Sequence, residues 1–295
     1  MKVWQKALLL SCSLLAAVKV LAVEQTVPEQ TIPEQTIPEQ TILEQTILEQ
    51  TKLSGKLTQG SLIRGQAPAG ARVLFNEQPI SVTPEGKFVF GIGRDAKLNH
   101  QLSILKPDGS RNDIALNFTG RDYDIQRITG VAQKYVTPPA EVTARIQSDN
   151  RKVRAVRTTL TANTAIFAEP IRPAEGRISG VYGSQRVFNG EPRNPHYGLD
   201  IAAPVGAPVL APWDGEVLLA EDLYYSGLTL IIDHGMGVTS TLMHLHAIDV
   251  KVGEQIQQGD KVAEVGATGR VTGPHLDWRI NWLQERLDPQ LLLAE

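Results

Sequence analysis

The sequence predicts a mainly β chain: a small N-terminal β-sandwich-like domain, a linking helix and a C-terminal antiparallel β-sheet domain. Three observations carry this. Short apolar–polar alternations separated by Gly and Pro recur from residue 54 onward. Residues 138–160 switch to a helical period. Aromatic residues make up only 5% of the 295 residues although hydrophobic residues reach 42%, the balance of a chain built on Val, Ile and Leu. That length suits one large or two medium domains. A formal charge of −3 argues against a dedicated nucleic-acid binder, and a single cysteine excludes an intrachain disulfide framework.

Residues 1–22 are expected to form a secretory signal peptide. Lys2 and Lys6 supply the charged start, Ala7 to Val18 the apolar run, and Val20-Leu21-Ala22 a small-residue cleavage site. The apolar run is short for a membrane span and Lys19 interrupts it, so no stable span is expected after cleavage. Cys12 lies inside this segment, and a mature chain without cysteine suits an oxidising compartment.

From Glu24 the chain repeats EQTVP, EQTIP, EQTIP, EQTIL, EQTIL, EQTKL. Six glutamates against Lys52 concentrate negative charge there. A five-residue period fits neither helix nor strand, and Pro28, Pro33 and Pro38 each remove a backbone donor. Residues 23–53 are therefore expected to be an extended acidic spacer without packed structure. The sequence selects no protein partner for it.

Residues 54–135 alternate as strands at Ala71–Phe75, Lys87–Gly91, His100–Leu105 and Ile114–Phe118, with turns at Pro84-Glu85-Gly86 and Pro107-Asp108-Gly109. With one histidine, His100, this unit reads as packing or recognition. Residues 136–170 read as a helical linker. Thr137 is a cap candidate, Pro138 suits the first turn, and Val142, Ile146, Val153, Val156 and Leu160 share one face.

Chemistry concentrates in residues 171–290. Five of the six histidines lie in the last hundred residues, among strands expected at Glu216–Ala220, Leu228–Asp233, Val238–His244, Lys261–Val265 and Leu276–Ile280. Gly235 and Gly237 mark a hairpin. On a strand, residues two and four apart share a face. His196 with Asp200, His244 with His246, and His275 with Asp277 are therefore three same-face pairs that converge if their strands are neighbours. Imidazole and carboxylate are the expected ligands of a catalytic zinc. No HExxH helix and no GxSxG elbow is present.

The stretches RISGVYGSQR, NPHYGLDIAAPVGAPVLAPWDGEV, LIIDHGMGVTSTLMHLHAIDVKVGEQIQQGDKVAEVGATG and TGPHLDWRINW resemble the peptidase domain of the LytM/lysostaphin-type zinc metallopeptidases, the M23 family. The resemblance implies a C-terminal antiparallel β-sheet metallopeptidase domain over residues 171–290. It implies Zn²⁺ held by His196, Asp200 and the residue at 277, with His244 and His275 as the catalytic histidines that position water and stabilise the oxyanion. The implied activity is an exported zinc endopeptidase that hydrolyses stem peptides or crosslinks of peptidoglycan, its partner, in the periplasm or cell envelope of a bacterium. One position departs: the family's last histidine is Asp277. Carboxylate oxygen can ligate zinc, but two carboxylates leave about zero charge on the centre where one leaves about +1. The alternative is an inactive cell-wall-binding regulator of other murein hydrolases. His246 falls on the face of His244 by alternation, and His234 reads as structural.

Overall fold

The computed structural model describes residues 51–129, 140–188 and 190–293. The expected signal peptide and nearly all of the EQTxP tract lie outside these residues. The last repeat does enter the fold: β1 (Lys52–Ser54) pairs antiparallel with β2 (Leu62–Gln66), and Thr51 is buried.

The N-terminal unit is two facing sheets. β1 and β2 continue to β5 (Lys87–Gly91). The second sheet runs β4 (Gln78–Ile80), β3 (Arg72–Phe75), β6 (Asn99–Leu105), β7 (Arg111–Asn117). Inward residues at period two (Val73, Phe75, Phe88, Phe90, Leu102, Ile104, Ile114, Leu116) form its core. β8 (Ile125–Ile128) leaves this unit and pairs in parallel with β10 (Gln185–Phe188) of the C-terminal domain.

One helix, α1 (Thr143–Val156), follows. Val153 and Val156 pack on Leu219, Leu223 and Ile231, as the helical period predicts. The helix is shorter than expected. Thr158 and Thr159 are β-branched and the chain turns out after Arg157, so Leu160 lies beyond the helix and is exposed. Thr137 and Pro138 lie outside the described residues.

The C-terminal domain begins with β9 (Arg177–Gly180); after β10 come β11 (Glu191–Pro192), β12 (Leu199–Ala202), β13 (Pro208–Leu210), β14 (Gly215–Leu223), β15 (Gly227–Asp233), β16 (Val238–Leu245), β17 (Ala247–Ile248), β18 (Gln255–Ile256), β19 (Lys261–Glu264), β20 (Leu276–Trp282) and β21 (Glu285–Leu287). The main sheet orders β18-β14-β15-β16-β20-β12-β9, with β21 added to β20. A smaller sheet, β13-β19-β17, packs beside it. Leu230, Ile232, Leu242, Leu276, Trp278 and Ile280 turn to one face and bury with Trp213 and Val262. The opposite face carries Leu219, Ile231, Thr241 and Arg279, which the register aligns across four strands.

The two units are fastened together. Arg121 pairs with buried Asp288 at 2.7 Å and Arg94 donates to the Gly183 carbonyl at 2.9 Å. Trp282 packs edge-on against Phe75. No helix among the described residues is long and apolar enough to cross a membrane.

His234 is structural, as expected. Its Nδ1 lies 2.9 Å from the Asp214 carbonyl and its Nε2 2.8 Å from Ser240 Oγ. Burial pushes this imidazole down to about 4. The unfolded histidine protonates near 6.5, so between about 6.5 and 4 the unfolded state holds up to one more proton, and stability rises with pH there and is lost as the pH is lowered. Replacing His234 by Gln should flatten that slope by about one proton in denaturant unfolding followed from neutral to mildly acidic pH. An unchanged slope would show that His234 is not buried neutral.

Candidate metal centre

Register builds the site. Asp200 on β12 is paired directly with Asp277 on β20, and Met243 on β16 flanks Asp277 from the other side. Residues paired across strands share a face, so both carboxylates project together. His196, four residues before Asp200, joins them from the segment entering β12. Ligand atoms of His196, Asp200 and Asp277 all lie within 4.8 Å of one another. The structure thus brings together the three residues that the sequence reading expects as metal ligands.

The residues present suit a bound cation. His196 Nε2 and Asp200 Oδ1 lie 3.2 Å apart but are misaligned for a hydrogen bond, and both are buried without a hydrogen-bond partner. Buried polar atoms without partners are costly, and a metal would satisfy both at once. His196 Nδ1 is 4.0 Å from Asp277 Oδ2. Burial alone would lower the His196 pKa, but the Asp200 and Asp277 carboxylates outweigh it and hold the imidazole above its usual range.

His244 and His275 stand next to this cluster, their ring centroids 4.9 Å apart. His244 Nδ1 lies 2.9 Å from the Thr268 carbonyl and His275 Nδ1 lies 2.8 Å from the Gly273 carbonyl. A carbonyl only accepts, so each Nδ1 carries the hydrogen and each Nε2 keeps its lone pair. His275 Nε2 is 3.9 Å from Asp200 Oδ1. Burial pushes His244 below the ordinary histidine range, against the pull of the Asp277 carboxylate.

His246 does not share the face of His244. The His244 backbone sits in the left-handed region at φ 64°, which breaks the strand alternation, and His246 beyond it is exposed. Among the described residues the cluster of potential ligands is His196, Asp200 and Asp277 alone.

Arg279 is the site residue that the sequence reading missed. Its Nη2 lies 2.6 Å from Asp277 Oδ2 and its Nε 3.0 Å from Oδ1. Burial alone would raise the Asp277 pKa, but Arg279 overrides it and holds the carboxyl below the usual range. This corrects the charge expected at the centre. With Arg279 counted, two carboxylates and a divalent ion leave about +1 rather than zero. The signal was available: Arg279 follows Asp277 by two residues on the same strand face.

Two glycines make the room. A Cβ on Gly180 would collide with the Asp200 carboxylate, and one on Gly198 with Asp277 Oδ1 and the Arg279 side chain. Gly198→Ala should displace the Asp277–Arg279 pair and cost roughly 1–3 kcal/mol by overpacking. Gly273→Ala, where a Cβ meets open space, should change stability by less than about 0.5 kcal/mol. Chemical denaturation of both variants checks this; equal losses would contradict the close packing described.

Residues 194–289 match the model of peptidase family M23. The chain is 43% identical over 86 residues to the peptidoglycan DD-endopeptidase ShyB of Vibrio cholerae, covering 29% of this chain and 20% of that one. It is 30% identical over 189 residues to ShyA, a peptidoglycan DD-endopeptidase of the same organism, covering 64% of this chain and 41% of that one. A crystal structure of a candidate M23 peptidase from Pseudomonas aeruginosa superposes with a TM-score of 0.62 at 25% identity, covering 85% of this chain and 98% of that one. The chain thus spans between one fifth and about two fifths of the length of these two curated relatives.

Proposed function

We propose that this M23 peptidase domain is a zinc-dependent endopeptidase that hydrolyses peptide bonds in the stem peptides or crosslinks of bacterial peptidoglycan. The observation that carries the reading is the convergence of His196 Nε2 and Asp200 Oδ1, buried atoms 3.2 Å apart that make no hydrogen bond, with Asp277 beside His244 and His275. The names of the Vibrio relatives support the substrate class.

His196, Asp200 and Asp277 would hold the zinc, whose chemistry is to polarise a carbonyl and acidify water. His244 and His275 stand side by side, their ring centroids 4.9 Å apart, with Nε2 free of the carbonyl that Nδ1 engages. One accepts the proton of the attacking water and, once protonated, can donate to the oxyanion or the leaving amine. The depressed His244 pKa keeps that ring neutral, and so able to accept a proton, at neutral pH. The chain is read as exported by residues 1–22 into the periplasm or cell envelope. Residues 23–50 serve as a spacer, 51–135 as an accessory domain, 136–170 as a linker and 171–290 as the peptidase.

Metal analysis beside peptidoglycan digestion, with products read by mass spectrometry, tests the reading. One zinc per chain and peptide-bond cleavage that a chelator abolishes and zinc restores are expected. No stoichiometric zinc and no cleavage at any pH would favour the non-catalytic regulator. His244→Ala should keep the zinc and lower kcat by roughly 10²–10⁴-fold. Loss of the metal in that variant would make His244 a ligand instead.

A further inference from the structure

The unusual feature of the site is the pair at 277 and 279. Asp277 is almost fully buried on the central strand, its side chain 3% exposed, and Arg279 clamps it in a fork. Both project from one face of β20, directly across from Asp200 and Thr241 on the neighbouring strands. Gly198 leaves open the space that the pair fills. A buried fork of this kind orients a carboxylate and supplies a fixed positive charge at once.

We propose that Asp277 and Arg279 act as one unit that takes the place of a neutral histidine ligand, with Arg279 as its positioning residue. Asp277 supplies the ligating oxygen, while Arg279 fixes its orientation and returns the positive charge that the carboxylate removes. The inference rests on the metal-site reading given under Proposed function.

The charge count makes the claim specific. One imidazole and two carboxylates around a divalent ion leave about zero charge, and the guanidinium brings the site to about +1. Two imidazoles and one carboxylate give the same +1 without help from a neighbour. Histidine at 277 with Arg279 still present would give about +2, with a guanidinium stripped of its carboxylate next to a dication. The residue that suits position 279 therefore depends on the residue at 277. Arginine favours metal binding beside aspartate and opposes it beside histidine.

A double-mutant cycle read by zinc affinity tests this. Wild type, Arg279→Met, Asp277→His and the double variant are stripped, checked for folding by apo thermal unfolding, and titrated with zinc against a chromophoric chelator. Arg279→Met alone should weaken zinc binding by roughly 10–100-fold, the usual effect of losing a partner that orients a ligand. The same substitution made in the Asp277→His background should strengthen binding by at least about tenfold, to within a few-fold of wild type. A merely structural arginine would not reverse its sign between the two backgrounds. Arg279→Met acting in the same direction in both backgrounds would overturn the proposal. If Asp277→His alone does not fold, the double variant decides: folded protein binding zinc near the wild-type level supports the unit, and folded protein without zinc overturns it. Wild-type protein that binds no zinc fails at the first step and removes the metal-site reading itself, a result separate from any outcome of the cycle.

Discussion

Two carboxylates, one buried and one half-buried, facing each other across paired strand positions are the constraint on which this site depends. Asp200 and Asp277 are register partners on β12 and β20, and like charges so placed repel each other. Something cationic must balance them. Arg279 does so from within the chain. The partnerless His196 Nε2 and Asp200 Oδ1 mark where a metal would complete the balance. Gly180 and Gly198 exist in this arrangement because any side chain there would occupy the carboxylates' space.

The remaining architecture delivers and holds that pair. β16 is buried along its whole length and carries His244 into the site at its end. β20 beside it contributes Asp277 and Arg279 to one face and Trp278 and Ile280 to the core beneath. Continuous burial on one face makes a one-residue slip of either strand costly, since it would invert every side chain. The patch formed by α1 over Leu219, Leu223 and Ile231 lies on the site's own face of the sheet. The N-terminal unit is joined to the end of β20 and to the segment after β21 through Trp282 and Arg121–Asp288. The helix and the accessory unit therefore flank the same sheet that carries the chemistry.

Much of this was legible in the sequence. Alternation located Lys87–Gly91 to the residue and the strands around His244 and Asp277 to within two positions at most of their ends, because each has one face in a core. The His196, Asp200 and Asp277 cluster was legible from same-face spacing together with the family resemblance. What escaped had physical causes. Arg279 reads by itself as a solvent-facing charge on an alternating strand; its spacing puts it on the face of Asp277, and the fold places it over Gly198, where it is covered. His246 was placed wrongly because a left-handed residue at His244 resets the alternation, and a non-glycine in that conformation has no sequence signature. Lys52–Ser54 was hidden inside the repeat period, since its strand character arises from pairing with β2.

The central claim is that a carboxylate, oriented by an arginine, stands where a second histidine would ligate the metal. Zinc-edge X-ray absorption on the reconstituted chain measures this most directly, because multiple scattering from bound imidazole rings counts them. The account predicts one imidazole, from His196, with the other ligands oxygen. A shell with two imidazoles would contradict it by placing His244 or His275, and not Asp277, on the metal.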